Sequence, residues 1–292
     1  EGGWLWKISG NGLSHPSYLF GTYHGTYDIL YQYTDSIPEL HQAFNACSQF
    51  AGESETTSKP TPAQVGAAIK LPKDTTYADL LNKEDFHFLD SIVRQSLKSP
   101  LNKVYIKPNF LALILGEIEK GKKLVDTGYS QSRIDSMKSQ VMDIALEKKA
   151  KEKGLTIVGL EGIFDAFVSE KSNLKKEADE LISDLREDDE ISPLSFVNTL
   201  SDVYRTQNMK SLINFEVKVD SIFRTSPKLT EIGKRIREDL LKRRNLNWMN
   251  KIPELMKAQP TFIAVGVRHL PGKDGLIALL LEKGYQVEPI GL

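Results

Sequence analysis

Two histidines of this chain stand in the same local setting, near opposite ends of the sequence. His24 ends a Gly-Thr-Tyr-His run and His269 ends a Gly-Val-Arg-His run, and each run follows an apolar segment. The glycine lets the backbone leave a strand sharply and approach a neighbouring group closely. Because ligands of open α/β sheets bind at the carboxyl ends of strands, we expect both imidazoles at one polar site. The alternative is a pair of buried histidines that bond to backbone groups.

Two carboxylates follow predicted strands in the same way. Glu53 comes after Gln-Phe-Ala-Gly, and Glu161 comes after Ile-Val-Gly-Leu. If the four strands are parallel neighbours, two imidazoles and two carboxylates converge on one edge. Such nitrogen and oxygen ligands suit Zn²⁺, Mn²⁺, Co²⁺ or Fe²⁺, and one carboxylate could act as general base on a metal-bound water. Glu55 competes with Glu53 for the first position, and Glu161 could instead be a first-turn acid of a following helix.

The composition is that of an ordinary globular chain. Its 292 residues are 40% hydrophobic and 26% charged, with a formal net charge of -1. This length suffices for a sizeable core, and the balanced charge disfavours a general nucleic-acid binder. No apolar run approaches the ~20 residues that span a bilayer. The single cysteine, Cys47, excludes an intramolecular disulfide. Because the chain begins at Glu1, we expect a trimmed sequence from which any signal peptide is gone.

The elements that position these residues come from both ends of the chain. Apolar and β-branched patterns predict strands at 4–9, 17–20, 48–51, 155–160, 261–265 and 285–290. We therefore predict one α/β domain over 1–292, with a central mostly parallel or mixed sheet formed from both chain ends and flanked by helices. The middle is mainly helical, with a helical insertion at about 62–135 and a helical segment at about 170–257.

A helix is predicted over 137–153, with Met137, Val141 and Ile144 on its apolar face and Gly154 as its C-cap. Asp143, in the same helix, is predicted to be a solvated acid. Arg244 belongs to a basic run whose default position is a solvated helix face. The sequence contains no His-Glu-x-x-His, no Gly-x-Ser-x-Gly and no phosphate-binding glycine loop with its lysine, which disfavours the enzyme classes that use them.

Several blocks, in order along the chain, resemble the TraB/GumN (TIKI-like) family. They are Trp-Lys-Ile-Ser and Tyr-Leu-Phe-Gly-Thr-Tyr-His near the start, the block from Met142 to Glu161, the Arg-Asn helix at 243–249, and the close at 262–287. The resemblance implies an α/β fold in which the two Gly-x-x-His halves meet at one site. It matches His24 and His269 to the paired histidines, Glu161 to the Leu-Glu position, Arg244 to the Arg-Asn position and Glu53 to the first acidic position.

The resemblance implies a metal-dependent hydrolase, above all a peptidase, that acts on a peptide or protein. A divalent ion (Zn, Mn or Co) would be held by ligands from the set His24, His269, Glu53 and Glu161. Glu53 and Glu161 are also candidate catalytic bases, and Arg244 would stabilise a developing oxyanion. The resemblance also implies a bacterial protein exported to the periplasm or cell envelope.

A binding function on the same scaffold remains the alternative, with haem, a peptide or a partner protein as the ligand. An aromatic-rich segment near His24 could grip such a ligand, or could simply pack in the core. Its tyrosines are Tyr23, Tyr27, Tyr31 and Tyr33.

Overall fold

The computed structural model describes residues 2–23, 31–55, 60–165, 173–186 and 193–291. The chain divides into two compact units. The first consists of Glu1–Ser58, Met137–Ile163 and Pro193–Leu292, and the second consists of Lys59–Ser136 and Phe164–Ser192. The single domain expected from the sequence stays a prediction.

The first unit contains a mixed sheet of six strands. They are β1 (Leu5–Ser9), β2 (Ser17–Thr22), β3 (Gln49–Gly52), β4 (Thr156–Gly159), β5 (Thr261–Gly266) and β6 (Gln286–Ile290). Their order across the sheet is β4-β3-β5-β2-β1-β6. The pairs β4·β3, β3·β5 and β5·β2 are parallel, whereas β1 is antiparallel to both β2 and β6. The predicted sheet, built from both chain ends, is confirmed.

Central position explains the composition of β5. All six of its residues, Thr261–Gly266, are buried. A strand with parallel neighbours on both sides reads as a nearly continuous apolar run, because both of its faces are covered. The Phe262 ring stacks on Phe50 of β3, with 6.3 Å between ring centroids, and meets Phe44 edge-on at 5.1 Å. These aromatic contacts form the core under the parallel half of the sheet.

Helices make up most of the rest of the chain, and the helical middle region predicted from the sequence is confirmed. In chain order they are α1 (Leu40–Asn45), α2 (Pro62–Ile69), α3 (Tyr77–Leu80), α4 (Lys83–Leu97), α5 (Pro108–Asp126), α6 (Gln131–Ser139), α7 (Met142–Glu152), α8 (Leu174–Arg186), α9 (Pro193–Arg205), α10 (Met209–Phe223), α11 (Pro227–Arg235), α12 (Arg243–Trp248), α13 (Ile252–Ala258) and α14 (Leu276–Glu282). Short 3-10 segments lie at Tyr31–Ser36, Leu101–Lys103 and Val267–His269, and a π-helix at Ile236–Lys242 runs directly into α12. None of the described helices combines the length and apolar character needed to cross a membrane.

The single helix predicted over 137–153 is wrong. Helix α6 ends at Ser139 and α7 begins at Met142, because Val141 between them has extended backbone angles of φ -56° and ψ 136°. The restart changes which residues face inward. The buried residues of α7 are Met142, Leu146, Glu147 and Ala150, whereas Ile144 is exposed.

The second unit has a separate helical core. Leu89 and Val93 of α4, Leu111 of α5 and Ala178 of α8 are fully buried in it. The apolar stripe of α8 predicted from its three- and four-residue spacing is therefore confirmed.

Candidate functional site

The site lies in the first unit, at the carboxyl ends of the parallel strands. Strand register places Gly52 beside both Gly159 and Ala264. Glu53 follows β3 directly, and Glu161 comes two residues after β4. His269 ends the 3-10 turn that follows β5. Because parallel strands share one edge, the three side chains start from neighbouring positions.

Arg244 of α12 connects the two glutamates. Its Nε donates to both carboxylate oxygens of Glu161, at 3.0 and 3.1 Å. Its Nη2 donates to Glu161 Oε1 and to Glu53 Oε2, each at 2.5 Å. The side chains of Arg244, Glu53 and Glu161 are only 11%, 16% and 11% exposed. The solvated face predicted by default for Arg244 is therefore wrong, and its guanidinium lies among the strand-end acids.

The charge of Arg244 is stabilised by this arrangement. Burial by itself would lower the pKa of the guanidinium. The hydrogen bonds and negative charges of Glu161 and Glu53 outweigh burial and raise that pKa above its ordinary value. Arg244 is therefore a permanent cation at this site.

Glu53 is also held by the main chain. The backbone N–H of Gly266, the last residue of β5, donates to Glu53 Oε1 at 2.7 Å. His269 Nε2 lies 3.8 Å from the same oxygen. Glu55, the competing candidate, lies instead beside Lys151, with 3.5 Å between Oε1 and Nζ. Of the two acids, only Glu53 contacts Arg244.

His269 is buried and is contacted through both ring nitrogens. Nε2 lies 3.2 Å from Arg244 Nη1, and Nδ1 lies 2.7 Å from Asn245 Oδ1. The buried indole of Trp248 packs against the imidazole, with 4.5 Å between ring centroids. Trp248 Nε1 donates to Glu161 Oε2 at 3.0 Å, and the guanidinium carbon of Arg244 lies 4.7 Å from the centre of the indole ring.

Asn245 and Trp248 were not among the predicted site residues. Both belong to the same short helix as Arg244, one and four residues after it. Their position in the Arg-Asn segment was the available signal, because residues at i and i+4 share a helix face. Glu161, which could have been a first-turn acid, instead bonds to two residues of this helix.

The carboxyl end of β2 reaches the same edge of the sheet. Thr22, its last residue, pairs with Gly266, and Gly21 lies close to Val267. A Cβ added at Gly21 would come within 2.8 Å of Val267 Cγ2, so the glycine of the first Gly-x-x-His run permits a close approach. His24 itself lies outside the described residues, and so does Tyr27. The place of His24 in the site stays a prediction from the sequence.

Asp143 is not the solvated acid that the sequence predicted. Its Oδ1 accepts a hydrogen bond from the fully buried hydroxyl of Thr22, at 2.9 Å. The pair connects the first turn of α7 to the end of β2. A charge pattern alone did not reveal this, because Thr22 is 121 residues away in the chain.

Tyr23, proposed as part of an aromatic mouth, packs in the core. It is 2% exposed, and its ring lies 5.4 Å from the ring of Tyr204. Tyr204 also stacks on Trp4 and donates from its hydroxyl to the carbonyl of Gly21 at 2.7 Å. Tyr23 thus contributes packing at the end of β2.

The donor set has the chemistry that a divalent ion requires. Glu53, Glu161 and His269 offer two carboxylates and an imidazole nitrogen, which suit Zn²⁺, Mn²⁺ or Co²⁺. Within residues 2–23, 31–55, 60–165, 173–186 and 193–291, no three His, Cys, Asp or Glu side chains are grouped so that they could hold a metal ion. Arg244 contacts all three donors, so an ion would have to share or replace those contacts.

Comparison with known proteins identifies the family. A sequence profile of the TraB/PrgY/gumN family matches residues 4–289, nearly the whole chain. Searches of curated proteins and of solved structures find no match. The matched residues include both Gly-x-x-His runs and the helix that carries Arg244. The match confirms the resemblance drawn from the ordered sequence blocks. The chain belongs to the TraB/PrgY/gumN family.

Proposed function

We propose that this protein is a metal-dependent hydrolase whose preferred substrates are peptides. The observation that supports the proposal is the meeting of Glu53, Glu161 and His269 around Arg244 at the carboxyl ends of parallel strands. Paired carboxylates beside an imidazole are a donor set for divalent metals, and the carboxyl-end edge is where α/β sheets bind ligands.

His269 would ligate the ion through Nε2, which faces Glu53 and would exchange its contact with Arg244 for the ion, while Nδ1 stays bonded to Asn245. One of Glu53 and Glu161 would complete the ligand set. His24, which follows β2 by two residues, joins it on the strength of the sequence alone. When bound, the divalent ion supplies a Lewis acid for the scissile carbonyl and lowers the pKa of water.

The residues of the chain have separate tasks in this proposal. The glutamate that does not ligate the ion accepts a proton from the attacking water at a carboxylate oxygen. Arg244 provides a fixed positive charge for the oxyanion that develops on the substrate. Trp248 is fully buried and shields one side of His269 and Glu161 from water, which strengthens the electrostatic interactions there.

The test combines metal analysis with peptide cleavage. Purified protein should contain about one divalent ion per chain. Cleavage of a mixed peptide substrate should stop with a chelator and return with Mn²⁺, Co²⁺ or Zn²⁺. Substitutions His24→Ala, His269→Ala, Glu53→Gln and Glu161→Gln should each remove at least 99% of activity, about 3 kcal/mol in the barrier.

Two substitutions serve as matched controls. Glu55→Gln changes an acid two residues from Glu53 that lies beside Lys151, and His41→Ala removes a half-exposed histidine. Both variants should keep metal content and turnover. A metal-free His24→Ala protein with full activity would overturn the proposal. Stable capture of haem or peptide without cleavage would favour the binding function instead.

A further inference from the structure

A buried amide faces the imidazole of the candidate site. Asn245 is 2% exposed and lies on α12, directly after Arg244. Its Oδ1 is 2.7 Å from His269 Nδ1. Its Nδ2 donates to two backbone carbonyl oxygens, those of His269 at 3.2 Å and Asp274 at 2.8 Å.

These partners determine the orientation of the amide. Carbonyl oxygens only accept hydrogen bonds, so the Nδ2 end of Asn245 must face them. Its Oδ1 is thereby turned towards His269 Nδ1, and an amide oxygen also only accepts. The nitrogen opposite must therefore carry a proton, which makes Nδ1–H the donor of this bond.

The other ring nitrogen has the opposite requirement. Arg244 Nη1 lies 3.2 Å from His269 Nε2, and a guanidinium nitrogen only donates. Nε2 must present a lone pair to it. The two contacts are satisfied together by one form of the ring, the neutral imidazole with its proton on Nδ1.

We propose that Asn245 is a positioning residue that sets the tautomer of His269 and so keeps the Nε2 lone pair on the ring edge that faces Arg244 and Glu53. The use made of that lone pair rests on the proposed hydrolase function, but the tautomer does not. Metal-binding histidines commonly donate their second ring nitrogen to such a partner, which determines ring orientation and basicity. Through Asp274 the same amide also ties the loop before α14 to α12.

Asn245 requires a proton on Nδ1 and Arg244 requires a lone pair on Nε2, and substitutions can test the two requirements separately. In Asn245→Ala, His269 Nδ1 loses its acceptor, and the proton should move at least partly to Nε2. In Asn245→Asp, the two bonds from Nδ2 to the carbonyls of His269 and Asp274 are lost, but a carboxylate oxygen still accepts from Nδ1, so the Nδ1 proton should be retained in the folded variant. In Arg244→Met, Asn245 is intact and still faces Nδ1, so Nδ1 should keep its proton even though Nε2 no longer faces a donor.

Long-range ¹H–¹⁵N NMR spectra of the ¹⁵N-labelled 292-residue chain at neutral pH report which ring nitrogen carries the proton. The chain has five histidines, and the spectrum of His269→Gln identifies the signals of His269. Asn247→Ala, an exposed asparagine of the same helix, is the matched control. We expect Nδ1–H in wild type, Asn245→Asp, Arg244→Met and the control, and a clear Nε2–H population in Asn245→Ala.

A wild-type spectrum with Nε2–H would overturn the proposal, even if Asn245→Ala fails to fold. So would a folded Asn245→Ala protein that retains Nδ1–H, because a role in packing alone leaves the tautomer unchanged. Metal titration provides a second readout, with Asn245→Ala expected to bind Mn²⁺ or Zn²⁺ 10- to 100-fold more weakly. If the Nδ1–H tautomer is present but the wild type neither binds metal nor cleaves peptides, the proposed function fails and the positioning role stands.

Discussion

The guanidinium of Arg244 and the carboxylate of Glu161 form an ion pair in which one nitrogen, Nε, lies 3.0 and 3.1 Å from the two oxygens. Glu53 shares the same guanidinium through Nη2. One positive charge therefore faces two negative charges, and +1 and -2 leave a formal charge of -1 in a poorly exposed site. This excess of negative charge favours the binding of a further cation.

Removal of the central cation should destabilise the first unit strongly. In Arg244→Met, Glu53 and Glu161 lose their shared partner and remain close together as two poorly solvated negative charges. Breaking a buried pair on one side costs about 3 kcal/mol or more. Urea denaturation at pH 7 measures the difference in the free energy of unfolding.

The control for Arg244→Met is the same substitution at the neighbouring arginine, Arg243. Arg243 is partly exposed and lies 4.0 Å from Asp239 one helical turn away, an arrangement that contributes about 0.5 kcal/mol or less. Arg243→Met should therefore change stability little. Equal losses in the two variants would contradict the central role of Arg244.

The close approach at Gly21 should tolerate no side chain. A Cβ there would lie 2.8 Å from Val267 Cγ2 and 3.1 Å from its Cα, and the latter is backbone that cannot rotate away. Gly21→Ala should lower stability by about 1–3 kcal/mol, as overpacking of a core does. Thermal unfolding gives the measurement.

A glycine in open space should give the opposite result, a gain in stability when it is replaced by alanine. Gly116 lies within α5, and an added Cβ would meet nothing within 4 Å. Gly116→Ala should stabilise the protein by up to about 1 kcal/mol, because alanine loses less backbone entropy in a helix. Gly21→Ala that is neutral or stabilising would show that the two strand ends do not meet as described.

Cys47 should be almost unreactive in the native protein. Burial raises the pKa of its thiol from 9.0 to about 12. At pH 8 a far smaller fraction of this thiol is then ionised than in the unfolded chain, and only the thiolate reacts. Absorbance on addition of a disulfide reagent should rise slowly for native protein and quickly in urea. Similar rates in both would disprove the burial of this thiol.

Asp90 should make the second unit sensitive to acid. The hydrogen bond from Arg94 Nε, followed by that from the buried N–H of Leu101, holds the pKa of Asp90 below its ordinary value. Its contribution to stability is fully present above an unfolded-state pKa of about 3.9 and is lost as pH falls through the lower folded-state pKa.

The substitution Asp90→Asn should therefore cost about 1 kcal/mol at neutral pH, and the gap to the wild type should narrow below about pH 4. Urea denaturation at a series of pH values measures that gap. Asp179→Asn, at an exposed position of α8, controls for removal of an acid in the same unit. A gap that stays constant down to pH 2 would exclude the linkage.

Local sequence patterns were sufficient to predict every strand of the sheet. The unbroken apolar run of β5 marks a strand covered on both faces, and the turn at Gly10 separates β1 from β2. The placement of Glu53, Glu161 and His269 at one edge was predicted on the condition that their strands are parallel neighbours, and the order β4-β3-β5 meets that condition. Such predictions need only residues that are close together in the chain.

Other features depend on residues far apart in the chain. No pattern around Arg244 indicates that its partners are 83 and 191 residues away, or that Asn245 faces His269. The Thr22–Asp143 hydrogen bond was missed for the same reason. The break between α6 and α7 is instead a local change of backbone angles at Val141, which the apolar periodicity did not indicate. Periodicity and the positions of the strands along the chain belong to the sequence itself. Which charged groups share a buried site was decided only by the tertiary structure, because burial makes a charge costly unless a partner from another segment reaches it.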